Sequence, residues 1–275
     1  MHELPRVNSE LLADALRAFL AEELRTTGLA GYVVGLSGGL DSAVSAALAA
    51  GAVGAGRVLA LAIPGPTSST ESLDHARLVA EALAIPLEVV DISSAADALA
   101  ATLGARDDRL RFGNLMARLR MVTLFDRARA LPGLVLGTSN KSEILLGYST
   151  LFADSASSVN PLGDLWKTQI YALGAHLGIP APLLGKPPTA DLWPGQTDAG
   201  ELGFDYRDAD PVLYWHHEQG LGRDALLAAG FPAALVDGVL RAYRRNRFKW
   251  RPTVAARVSA SAVNVDRILP RNPEP

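Results

Sequence analysis

"YVVGLSGGLDSAVSAALAA" (residues 32–50) passes from an apolar segment, through a turn of serines and glycines with one acid, into an alanine-rich segment. Tyr32, Val33 and Val34 are residue types that fit a buried strand, and Ala43 to Ala50 favour helix. The junction therefore reads as strand, glycine turn, helix start. The first amides of a helix lack intrahelical partners and carry the positive end of its macrodipole, so an anion is the natural occupant, phosphate first. Gly35, Leu36, Ser37, Gly38, Gly39, Leu40, Asp41 and Ser42 form the candidate cradle.

Working outward, the pattern alternates. "RVLALAIP" (57–64) is an apolar run ended by proline, "STESLDHARLVAEALAI" (69–85) has helical spacing, and "LEVVDI" (87–92) is again strand-like. A helix near 95–103, the polar loop "GARDDRLRFG" (104–113), a helix near 114–130 and the strand "GLVLGTS" (133–139) follow. Right-handed crossovers make this an α/β fold with a doubly wound parallel sheet flanked by helices, whose ligands sit at the carboxyl ends of the strands. Beyond residue 148 long Pro- and Gly-rich stretches surround a helix at 165–179, and helices near 208–218 and 232–247 finish the chain. Loops of that length in a compact domain are usually functional. Residues 1–275 read as a single domain, with a core at about 10–255 and a tail at 256–275.

Composition narrows the function. The chain is 49% hydrophobic over 275 residues, enough for one large core, and its net charge of −3 gives no general attraction to nucleic acid or acidic lipid. Without cysteine it has no disulfide, thiolate metal site or Cys nucleophile. The N-terminal stretch reads as an amphipathic surface helix and no segment approaches ~18 uninterrupted apolar residues, so the cytoplasm is the expected location. The basic residues are almost all arginine: the lysines are Lys141, Lys167, Lys186 and Lys249. His216 and His217 are neighbours that point apart on a regular helix and make poor joint metal ligands.

The phosphate loop is neither of the two common ones. No Walker A string occurs, and "GAVGAG" (51–56) has the wrong spacing and follows a helix. Ser37 to Ser42 instead combine an amide nest, hydroxyls and a carboxylate. A carboxylate repels phosphates unless a cation lies between them, so Asp41 implies Mg²⁺.

"SGGLDS" after a buried strand resembles the pyrophosphate loop of the ATP pyrophosphatase (adenine nucleotide alpha-hydrolase) superfamily. Within it, "NLMARLRM" (114–121), "LGTSNKSEILLGYST" (136–150), "NPLGDLWKTQ" (160–169) and "KPPTADLWPGQTD" (186–198) resemble, in order, the ammonia-dependent NAD synthetases. That resemblance covers roughly residues 10–255. It implies ATP-dependent amidation of deamido-NAD by free ammonia through an adenylated carboxylate, giving NAD, AMP and pyrophosphate. It further implies that Gly35 to Ser42 cradle the ATP phosphates and that Asp41 and Glu143 hold Mg²⁺. Thr138, Lys167 and Thr189 would contact ATP, with Asp41 and Lys167 the catalytic pair. Arg118 and Lys249 would contact deamido-NAD, in part across the interface of a homodimer. Lys141 and Lys186 receive no role.

Three departures bear on the acceptor. Many members carry lysine where Leu151 stands, a glycine-rich turn ending in Asp where Ala153 to Ser158 stand, and His where Phe248 stands. The alternatives are a related ATP-pyrophosphatase ligase or amidotransferase acting on a different carboxylate, and a non-catalytic ATP-binding protein. Retention of Asp41, Glu143 and Lys167 argues against the latter.

Overall fold

The computed structural model describes residues 3–193, 195–250 and 253–261; of the expected tail, residues 262–275 lie outside the described residues. Four strands, β1 (Gly31–Gly35), β2 (Val58–Ala62), β3 (Leu87–Val89) and β4 (Gly133–Leu136), form one sheet in the order β3-β2-β1-β4. All pairs are parallel, with Tyr32 registered against Val58 on one side and Leu134 on the other. The chain leaves β1 for β2 on one flank and later enters β4 on the other. The crevice that carries ligands in such sheets therefore opens beyond the carboxyl ends of β1 and β4.

Helices α1 (Ser9–Thr27), α2 (Leu40–Val53), α3 (Thr70–Ala82), α4 (Ser93–Leu103) and α5 (Arg109–Ala130) precede β4. After it come α6 (Lys141–Leu146), α7 (Lys167–His176), α8 (Ala181–Gly185), α9 (Asp198–Leu202), α10 (Tyr206–Leu213), α11 (Arg223–Ala228) and α12 (Ala233–Arg245). Alternation along the strands divides the core. Tyr32, Val34, Ala60 and Leu136 pack with α1, α2, α3 and α7, whereas Val33, Leu61 and Val135 face α5. A separate cluster around Leu146, Trp166, Tyr206, Leu213 and Val239 binds α6, α10, α11 and α12 together beyond the end of β4.

Three local readings change. The polar loop ends early, because Asp108 caps α5 by accepting from Arg111 N and Phe112 is buried, so that helix begins at Arg109. The "SEILL" segment forms α6, capped at both ends of its first turn by Asn140 and Glu143. Residues Tyr214–Glu218 close a π-helical turn rather than a regular one, which brings both histidines onto one tyrosine: the His216 ring lies 4.9 Å from that of Tyr243, and His217 Nδ1 is 2.9 Å from its hydroxyl. Among the described residues no helix is long and apolar enough to cross a membrane.

Candidate active site

The cradle is built as its sequence requires. Gly38 has φ +73°, and a Cβ there would lie 2.3 Å from the backbone oxygen of Ser72 on α3, so both the turn and the close approach demand glycine. Gly39 is the N-cap of α2 and among the described residues no side chain caps that end, which leaves the first-turn amides open. Hydroxyls knit the loop: Ser42 Oγ donates to Gly39 O at 3.0 Å and accepts from Ser37 N at 3.3 Å.

Beside the cradle, α2, α6 and α7 deliver charge to one point. Lys167, the first residue of α7, meets the Asp41 carboxylate and donates to Glu143 Oε1 at 3.4 Å. Asn140 sets both acids: its amide Nδ2 donates to Asp41 Oδ1 at 3.2 Å, and its Oδ1 accepts from Glu143 N at 2.9 Å. Asp210, fully buried, accepts from Ser142 Oγ (2.6 Å), Thr168 N (2.9 Å) and Thr168 Oγ1 (2.8 Å), while Ser142 Oγ accepts from Lys167 N. This network fixes α6 and α7 against α10.

The electrostatics follow from the crowding of acids. Burial pushes Glu143 up to about 8; Lys167 pulls it down, but the negative fields of Asp41 and Asp198 work against that. Burial likewise raises Asp198, whose Oδ2 accepts from Tyr206 at 3.1 Å while its buried Oδ1 has no hydrogen-bond partner among the described residues. Lys167 is pulled down by burial, yet Asp41 and Glu143 outweigh that and hold its ammonium more firmly charged than usual.

These groups line a cleft of about 300 Å³ together with Gly35, Leu36, Ser37, Gly39, Leu40, Ser42, Thr138 and Thr189. Gly38 supports the loop from behind without lining the cleft. Arg118 and Lys249 do not line it either. Arg118 donates to Asn114 O and Leu151 O, and Lys249 Nζ donates to Gly147 O and Ser149 O, both at 2.7 Å. The two cations brace one loop, 147–151. Of the departing residues, Ala153 and Ala156 face the cleft, as does Asp154 between them, and Phe248 is exposed.

Residues not anticipated also reach the cleft. Arg120, half-buried, donates to Ile63 O and Ser68 Oγ, both at 3.0 Å, and holds the turn that follows β2. Asn140 was readable as the first residue of an Asn-x-x-Glu capping box. The pairing of Ser142 with Asp210 spans 68 positions and leaves no local signal.

Residues 12–253 match the NAD synthase family. The chain belongs to that family. As an NAD synthase family member it is 48% identical, over 258 residues, to the NH(3)-dependent NAD(+) synthetase of Chlorobaculum tepidum, covering 93% of this chain and 92% of that one. Among solved structures it resembles the NMN synthetase of Francisella tularensis (TM-score 0.81, 30% identity, 92% of this chain and 99% of that). It also resembles the NH3-dependent NAD synthetase of Campylobacter jejuni (TM-score 0.77, 28% identity, 92% and 100%).

Proposed function

We propose that this NAD synthase family member is an ammonia-dependent ligase that amidates the nicotinate carboxylate of deamido-NAD at the expense of ATP. The observation that carries the reading is the convergence, in one cleft, of an uncapped helix N-terminus with an Asp41–Lys167–Glu143 cluster. A carboxylate does not exchange oxygen for nitrogen until that oxygen can leave. Attack of the nicotinate oxygen on the α-phosphorus forms the mixed anhydride and expels pyrophosphate; ammonia then attacks the carbonyl carbon and AMP departs. The protein's task is positioning two polyanions and stabilising charge on the α-phosphate, for which the nest amides, Thr138, Thr189 and Lys167 are suited. No protein nucleophile is required, in keeping with the absence of cysteine.

Mg²⁺ suits the donor set. Asp41 and Glu143 present hard oxygens to a common point, and Asp198 Oδ1 is buried with no hydrogen-bond partner among the described residues. Mg²⁺ takes one or two carboxylates and completes its shell with phosphate and water, so the lack of a larger acidic cluster among the described residues is no obstacle. Asp41 and Glu143 would hold it, and when bound it would neutralise charge on the phosphates.

The reading extends to a cytoplasmic homodimer formed by one synthetase domain of each chain. Two features support the dimer: α5 exposes Leu110, Val122 and Phe125 on the side away from the sheet, and Arg118 and Lys249 lie outside the cleft of their own chain. An isologous contact would let them serve deamido-NAD from the other subunit.

A second reading differs only in the acceptor. The likeness to an NMN synthetase, with the departures at Leu151, Ala153–Ser158 and Phe248, favours a related amidotransferase that accepts nicotinic acid mononucleotide. Incubation with ATP, Mg²⁺ and ammonium, with either acceptor, decides between them: faster amide formation from deamido-NAD with AMP and pyrophosphate as products supports the first reading. ADP and orthophosphate as products would overturn both.

A further inference from the structure

Three of the four lysines are committed. Lys141 pairs with Asp164 and Glu218, Lys167 with Asp41 and Glu143, and Lys249 holds two backbone carbonyls. Lys186 differs. Its side chain is 14% exposed, its Nζ donates to Ser72 Oγ at 3.2 Å, and among the described residues the one carboxylate within 4 Å is that of the exposed Glu71, at 3.9 Å. An ammonium so far withdrawn from water and so weakly paired is costly unless an anion completes it.

Its place says which anion. Lys186, Ser69 and Ser72 line the same cleft as Ser37, Gly39 and Thr189. Ser72 packs directly against Gly38 of the nest, so a single residue separates the Lys186 ammonium from the phosphate cradle. The Ser69 and Ser72 hydroxyls are 2.9 Å apart, and Ser69 N donates to Asp191 Oδ2 at 3.3 Å. Asp191 thus covers the amide of Ser69, the N-cap of α3, and the Ser69 and Ser72 hydroxyls and the Lys186 ammonium are side-chain donors on this wall. The backbone is set in advance: Lys186 precedes Pro187 and has φ −73°, ψ 129°, the extended conformation to which a residue before proline is confined.

We propose that Lys186, supported by Ser72, binds the β- and γ-phosphates of ATP and stabilises the departing pyrophosphate. The assignment rests on the reading of the chain as an AMP- and pyrophosphate-forming synthetase. As the carboxylate oxygen bonds to the α-phosphorus, the bond from that phosphorus to the bridging oxygen breaks, and its electron pair stays with the pyrophosphate. Negative charge therefore rises on the β-phosphate in the transition state, where a fixed cation has most effect. Lys167 works beside the acids, so two lysines carried by separate elements meet the triphosphate.

The test measures binding of inorganic pyrophosphate and, separately, of AMP, each with Mg²⁺, by isothermal titration of wild type, Lys186→Met and Lys186→Arg, together with steady-state kinetics. Lys186→Met should weaken pyrophosphate about tenfold or more, as loss of a charge-assisted contact does, and relieve product inhibition by pyrophosphate in proportion. Its kcat should fall, AMP affinity should change less than about threefold, and Lys186→Arg should recover most of the pyrophosphate affinity. Unchanged pyrophosphate binding in Lys186→Met, or equal loss of AMP and pyrophosphate, overturns the assignment. Should Lys186→Met not fold, Lys186→Gln takes its place with the same expectations. Wild type that makes AMP and pyrophosphate while the variants bind pyrophosphate normally sinks this inference alone; wild type that binds no pyrophosphate sinks the function with it.

Discussion

Lys167 Nζ donates to Glu143 Oε1 across 3.4 Å, joining the first residue of α7 to the first turn of α6. A cation at a helix N-terminus opposes the macrodipole, so this lysine depends on the acids around it. Lys167→Ala should lower kcat about 10²-fold or more, as loss of one transition-state charge contact does. It should also leave the Asp41 carboxylate without its counter-charge, at a cost of about 3–5 kcal/mol in urea unfolding. A variant with near wild-type turnover would remove Lys167 from the reacting centre.

Glu143 makes folding depend on pH in a defined direction. Its carboxyl titrates near 8 in the folded chain against 4.5 when unperturbed. The folded state therefore holds this proton more tightly than the unfolded chain does, and stability falls as pH rises from about 4.5 to 8. Glu143→Gln removes that dependence. Without nucleotide or Mg²⁺, its melting temperature relative to wild type should climb across this window, while synthetase activity is lost. A difference in Tm that stays flat from pH 5 to 8 would contradict the assignment.

The Asp210 carboxylate accepts from three donors, and burial nevertheless raises it to about 6. Asp210→Asn keeps the shape but turns one acceptor oxygen into an amide N–H donor facing the donors of Ser142 or Thr168. Chemical denaturation should show a loss of about 1–3 kcal/mol, the range for a buried polar group left unpaired. Because Ser142 also accepts from Lys167 N, kcat should fall although Asp210 touches no substrate.

The exposed apolar face of α5 gives the oligomer its test. Val122 is 56% exposed on a helix whose opposite side packs on the sheet. Val122→Asp should shift light-scattering mass from dimer toward monomer while leaving the far-ultraviolet circular dichroism unchanged. A wild-type chain that is monomeric and fully active would refute the dimer.

The cradle was legible from sequence because everything in it is local: strand, glycine turn and helix start fall within twenty residues, and Gly38 has the conformation that only glycine adopts freely. The sheet was legible for the same reason, from four short apolar runs. The start of α5 was hidden because "RDDRL" has no apolar period, and the helix is announced there by a single cap, Asp108. The π-helical turn at Tyr214–Glu218 escaped because spacing rules assume a regular helix. Lys186 could be counted but not placed, since its partner Ser72 lies 114 positions away. Lys249 and Arg118, which the resemblance implies contact deamido-NAD, hold backbone carbonyls of the 147–151 loop in this chain.

Asn140 gives the site a dependence on a single functional group. Its carbonyl oxygen caps α6 and its amino group reaches Asp41, so two ends of one planar amide serve two different masters. Aspartate is nearly isosteric and caps a helix equally well, so Asn140→Asp would preserve α6. It would nevertheless set carboxylate against carboxylate where a hydrogen bond now lies. Hydrolytic loss of that one nitrogen, the ordinary ageing reaction of asparagine, would silence the chemistry in a molecule that still looked intact by every measure of fold.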